Sequence, residues 1–234
     1  MANELSTAGV TVGFAIASSR PSSGYQRIPG VKSTPGLNPE PTSQQVTTLE
    51  DTEYHRYIRI LKDPSGALPI TCNNTNEVQA AWYTLCKLAE NSKAWFVINI
   101  PGLSKAFYFS AEPSLLGVLG MDVDTVAEIT AYITPTGIAG WQNKPTKPAV
   151  YITPITTQEL TSDGSPITLT PVLDNEDAVI NSVSSSNTGV ATVTKNGANV
   201  VITYVGPGQC DITVATDAGT NYSVGKTIIR VEST

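Results

Sequence analysis

Residues 7–18, TAGVTVGFAIAS, alternate with a period of two. Val10, Val12, Phe14 and Ile16 fall on one side of an extended chain, and Thr11, Gly13 and Ala15 on the other, which predicts a half-buried strand. The rhythm then breaks. From Arg20 to Gln45 the chain is rich in Pro, Gly and Ser, with short strand-like pieces such as Tyr25 to Ile28. That is a turn-laden connection, because proline and glycine remove helix from the choices open to it. At NNTNEVQAAWYTLCKLAENSK the period changes to three and four. Val78, Ala81, Trp82, Leu85, Leu88 and Ala89 make one apolar face, Asn74 stands as N-cap with Glu77 three residues on, and Asn91-Ser92 closes the helix. Trp82 and Tyr83 read as core and rim of that helix rather than as a ligand platform.

AWFVINI (94–100) and LSKAFYFSAE (103–112) are aromatic and β-branched runs that Pro101-Gly102 joins into a hairpin. The loop EPSLLGVLGMDVDT leads to VAEITAYIT (126–134), with Ala127, Ile129, Ala131 and Ile133 on one face. Glu128, Thr130 and Tyr132 share the other, which meets solvent or a partner. Beyond Thr134 the run PTGIAGWQNKPTKPAV carries three prolines and little periodicity. A boundary is expected there, dividing the chain into 1–145, a linker at 146–149, and 150–234. The proline-rich linker suits a semi-rigid spacer with few contacts across it. The last segment holds only short strand-like runs: PITLTPVL, AVINSVSSS, GVATVTKNG, ANVVITYVG, CDITVAT and KTIIRVE. Asn196-Gly197 between two of them is a hairpin signal, and the even spacing without helix indicates a β-sandwich. The expected fold is mainly β, with one packed α-helix in the first unit.

Charge narrows the function. Charged residues make up 15% of the chain and the net charge is −6, so phosphate-mediated nucleic-acid binding is disfavoured. Cys72, Cys86 and Cys210 lack metal-type spacing and read as buried thiols, with a Cys72–Cys86 bridge left open. MANELSTAGVTVGF has no basic region and no continuous apolar stretch, and no run reaches membrane-spanning length. Synthesis in the cytosol without export is therefore the expectation.

Catalytic chemistry finds little to use. His55, the single histidine, sits between Tyr54 and Arg56 with no Gly-x-Ser-x-Gly turn in the chain. Asp122 and Asp124 lack a third ligand, and Gly117–Gly120 lacks the lysine of a phosphate loop. No enzyme activity, cofactor or metal is expected. What remains is LEDTEYHRYIRILKDPSGALPIT (49–71), the densest run of charges, crowded with large apolar groups and without helical or strand periodicity. Such a mixture suits an assembly surface, since interface anchors are often aromatic with a charged rim. Leu49, Asp51, Tyr54, Tyr57, Ile58 and Leu61 are the candidate contacts.

The order of several phrases carries a resemblance. NELSTAGVTVGFAI, PSSGYQRIPGVKSTPGLNPEP, LEDTEYHRYIRILKD, AAWYTLCKLAE, IPGLSKAFYFSAEPSLLG and VDTVAEITAYITPTG together resemble the major tail tube protein of long-tailed bacteriophages over about residues 2–145. The resemblance implies a β-sandwich or barrel packed on one helix. It also implies self-assembly into hexameric rings stacked as a tube, through which DNA passes without specific binding. A long loop matching about residues 40–66 would contact the adjacent subunit or ring. Arg59 and Ile60 stand where family members often carry Pro-Gly. Glu128 becomes a candidate for the lumen. Expected partners are other copies of the chain and the tape measure, tail terminator and distal tail proteins, with a virion location.

SSSNTGVATVTKNG, GPGQCDITVAT and KTIIRVE make the second segment similar to bacterial Ig-like domains of the group-two type. Such domains decorate cell-surface proteins and phage particles. The proline-rich linker, the separate strand set and the segment's own acidic balance point to a decoration outside the tube, dispensable for polymerisation, with host-surface glycan contact as one role. Two other readings are the inner tube of a contractile injection device and a surface adhesin or carbohydrate-binding protein. An appended Ig-like domain would obstruct a sheath, which argues against the former. The missing export signal argues against the latter.

Overall fold

A computed structural model describes residues 8–37, 43–48, 50, 52–59, 66–117 and 126–234, with backbone alone at Ile58 and Arg59. The protein is mainly β with one helix among these residues. The first half contains β1 (Thr11–Ile16), β2 (Gln26–Arg27), β3 (Val31–Ser33), β4 (Ser43–Gln45), β5 (Tyr57–Arg59), β6 (Leu68–Asn73), α1 (Asn76–Ala89), β7 (Ala94–Asn99), β8 (Lys105–Pro113) and β9 (Glu128–Asn143). The second half contains β10 (Gln158–Leu160), β11 (Ile167–Leu169), β12 (Ile180–Ser185), β13 (Ala191–Asn196), β14 (Asn199–Tyr204), β15 (Gly208–Thr216) and β16 (Lys226–Ser233).

Seven strands of the first half form one curled antiparallel sheet in the order β2-β1-β7-β8-β9-β6-β3. Aromatic and β-branched side chains line its inner face. Phe14 pairs with Phe96 and Phe96 with Phe109, the last two stacked at 5.4 Å between centroids. Helix α1 lays Val78, Trp82 and Leu85 onto this layer, closing a core with Ile70, Cys72, Ile129 and Ile133. The Trp82 indole N–H donates to the Ser114 carbonyl at 2.8 Å, so burying the ring leaves no donor unpaired.

The N-cap lies one residue later than the sequence pattern places it. Thr75 Oγ1 accepts from the Val78 N–H at 3.2 Å, whereas Asn74 accepts from the Gln79 side chain. Glu77 is thereby released from a capping box and receives the Tyr151 hydroxyl instead.

Two further expectations are corrected. β1 is buried on both sides, because Ala15 joins Tyr25, Val97, Ala106 and Tyr108 in a second small cluster. β9 does not stop at Thr134 but runs on to Asn143. Bulges opposite Tyr108/Phe109 and Ser110/Ala111 skip Ala139 and Thr136, so Pro135, Gly137 and Gly140 keep partners on β8 and the strand bends without ending.

The second half is a sandwich of a four-stranded sheet, β10-β16-β15-β12, and a three-stranded sheet, β11-β14-β13. Ala191, Val200, Ile202, Ile212, Val214, Ile229 and Val231 fill the space between them. Gly197, at φ 61, turns the β13–β14 hairpin that Asn-Gly predicts. All three cysteines are buried and unbridged.

Residues 146–150 are not a free spacer. The Gly24 N–H donates to Lys147 O, Ser223 N–H to Pro148 O, and Val150 N–H to Ser223 O. A residue before proline is held extended, and proline keeps its carbonyl, so Lys-Pro lies down as a bridging strand between the halves. The expectation of few contacts across the boundary does not hold. Thr84 of α1, 3% exposed, donates its hydroxyl to Ile228 O at 3.3 Å and accepts from Ile228 N at 3.1 Å. Beside it the Tyr83 hydroxyl donates to Asp211 at 2.6 Å, while Arg230 and Lys87 approach the Tyr83 ring within 6 Å, at 5.8 and 5.9 Å. Burial, and then the Asp211 carboxylate, push the Tyr83 phenol up.

Candidate assembly surface

The crowded stretch at 49–71 folds back on a preceding segment. β4 and β5 pair antiparallel, Gln44 opposite Ile58 and Gln45 opposite Tyr57, and the Val46 N–H donates to Arg56 O at 2.8 Å. The stretch therefore has a strand of its own, although its side chains show no period two. The short paired region is set by backbone complementarity and not by an apolar face. At the tip His55 Nδ1 lies 2.9 Å from Gln45 Nε2 and 3.3 Å from Thr47 Oγ1. The Arg56 N–H donates to Thr47 Oγ1 at 3.0 Å. These contacts tie the imidazole into a polar turn with Gln45 and Thr47.

Tyr54 is 81% exposed and Tyr57 59% exposed. Glu50, Glu53 and His55 are exposed beside them. The backbone of Ile58 belongs to β5, but its side chain lies outside the described residues, as do Leu49, Asp51 and Leu61. Asp122, Asp124 and the segment between Gly117 and Gly120 are also outside them. A two-stranded ribbon by itself is marginally stable in water. One that displays tyrosines instead of burying them has surface to offer a partner.

A second exposed region is the outer face of β9, β6 and β3. Glu128 is exposed and forms an ion pair with Lys32 of β3. Tyr132, 46% exposed, stands opposite Pro69, and Thr134 opposite Glu112. Ala127, expected to face the core, is exposed because β9 begins one residue later. The face is polar and threonine-rich, and the exposed ion pair adds little stability to it.

A cleft of about 710 Å³ opens where α1 meets the second half, with Trp82, Tyr83, Leu115, Ile155 and Arg230 among its lining. Tyr83 and Arg230 are already engaged, Arg230 with Glu232 at 3.1 Å and Gln209 at 2.6 Å. Among the described residues no group of three His, Cys, Asp or Glu side chains could hold a metal ion. Among the same residues no helix is long and apolar enough to cross a membrane. The sequence reading missed the pairing of β4 with β5, since Ser-Gln-Gln carries no strand signal. It also missed the hold of β16 on α1, for which Thr84 in the middle of a helix was the available cue.

No family model matches the chain, and comparison with curated proteins finds no match.

Proposed function

We propose that the protein is a structural subunit that assembles with copies of itself into stacked rings, forming the tail tube of a long-tailed bacteriophage. The observation that carries this reading is the β4–β5 ribbon, which holds Tyr54 and Tyr57 in solvent on a two-stranded element. Large side chains lose conformational freedom when ordered, and only a burying surface offsets that cost. Another subunit supplies such a surface.

The open face of β8, β9, β6 and β3 suits the inside of a DNA conduit. It presents Glu112, Glu128, Thr134 and Tyr132, with Lys32 neutralised by its carboxylate partner. An acidic or neutral wall lets a polyanion slide, whereas a lysine-lined wall would hold it. In this reading the second half lies on the outside, its acidic surface kept away from the channel. Tape measure, tail terminator and distal tail proteins are the expected partners at the tube's length gauge and ends, and the location is the virion.

The test replaces Tyr54 and Tyr57 together with serine. Because both are exposed, the variant should keep the wild-type circular dichroism and melting temperature while sedimenting as a monomer. Tubes of normal length from the variant would overturn the ribbon's role. A solved assembly with Glu128 in a dry subunit contact would remove the lumen assignment.

A further inference from the structure

The C-terminal part of β9 carries a feature that the fold of a single chain does not use. Residues in register across β1, β7, β8 and β9 form two apolar rows on the inner face. One row runs Phe14, Phe96, Phe109, Ile138, and the next runs Val12, Ile98, Phe107, Trp141. Both begin buried and end in solvent: Phe14 is 3% exposed but Ile138 39%, and Val12 is 2% exposed but Trp141 47%. Ile138 and Trp141 are three apart and would face opposite ways in a regular strand. The bulge that skips Ala139 brings both to the same side. Trp141 then rests edge-on against Phe107 at 5.4 Å, half of its surface unspent. The backbone irregularity thus aims two large apolar side chains at water beyond the cover of α1, which packs on β1 and β8. Lys105, two residues from Phe107 on the same face, is exposed at the rim.

We propose that Phe107, Ile138 and Trp141 form a socket for the β4–β5 ribbon of a second copy of this chain. This inference rests on the self-assembly reading and names the acceptor for it. Complementarity selects the occupant. The ribbon offers exposed Tyr54 and Tyr57 with Glu50, Glu53 and Arg56 beside them, acidic on balance, and the socket offers an apolar floor with Lys105 at its edge. Aromatic anchors in an apolar pocket with opposite charge at the rim are the composition of a specific contact. Within one chain the two do not meet, since Tyr54, Tyr57 and Trp141 are all exposed together. A ribbon on one copy and a socket on the next make a head-to-tail contact, which propagates into a ring or a filament.

Disulfide trapping between full-length chains tests this. One chain carries Tyr57→Cys and the other Trp141→Cys, and the mixture is oxidised and run on a non-reducing gel. The native thiols are buried and stay out of the reaction. The covalent dimer should exceed, several-fold, that from Tyr57→Cys mixed with Val179→Cys, an exposed valine of the second half. A second pair, Tyr54→Cys with Ile138→Cys, covers the case in which losing the indole disturbs the fold. If wild-type chains assemble but neither pair cross-links above the control, the socket is wrong and self-assembly stands. If wild-type chains never associate, the socket and the self-assembly reading fall together.

Discussion

Thr84 shows how one side chain can join two halves of a molecule. Its hydroxyl is both donor and acceptor to the backbone of Ile228, and both groups are buried. Thr84→Val keeps the shape and leaves an N–H and a carbonyl without partners, a loss of about 1–3 kcal/mol. Urea titration of the variant measures it, and a midpoint equal to wild type would contradict the pairing. The buried thiols give a second residue-scale expectation. Burial pushes Cys72 and Cys86 up from 9.0 to about 11, because the thiolate would lose its hydration. A folded-state value above the unfolded one favours folding while the thiol is protonated. That contribution is complete below about pH 9 and is lost as pH rises through about 11. Stability in urea should therefore fall across that alkaline window, and a flat profile there would argue against buried, protonated thiols.

At the scale of elements, the sequence was readable wherever one face of an element met the core. β1, β7 and β8 bury residues on both faces, and β7 and β8 were readable from their aromatic and β-branched content. The three- and four-residue spacing of α1 follows directly from the face it buries. Trp82, 1% exposed, is the largest side chain on that face, and Trp82→Ala should cost about 3–5 kcal/mol by thermal or urea unfolding. Legibility failed where backbone geometry decides. Pro135, Gly137 and Gly140 read as an end of structure, yet bulges carry β9 past them. Ser43–Gln45 has no strand pattern because no side of it is buried. The proposed assembly surface was half legible. Aromatics among charges marked the ribbon, but nothing in the local sequence around Trp141 says that a skipped Ala139 turns it outward.

The whole molecule is more tightly joined than its composition suggests. The Lys-Pro segment is hydrogen-bonded to both halves, and β16 lies on α1. The expectation of few contacts across the boundary gives way to one of coupled folding. The full chain should unfold in a single cooperative step, and a chain stopped after Lys147 should melt at lower temperature, with Thr84 and Tyr83 uncovered. Two separate transitions in calorimetry would show that the halves are independent. The central claim is that copies of this chain build a tube, and electron microscopy of the purified full-length protein tests it most directly. The account predicts hollow rods of stacked rings, with the second half projecting outside. A uniform field of single particles at every concentration tried would contradict it.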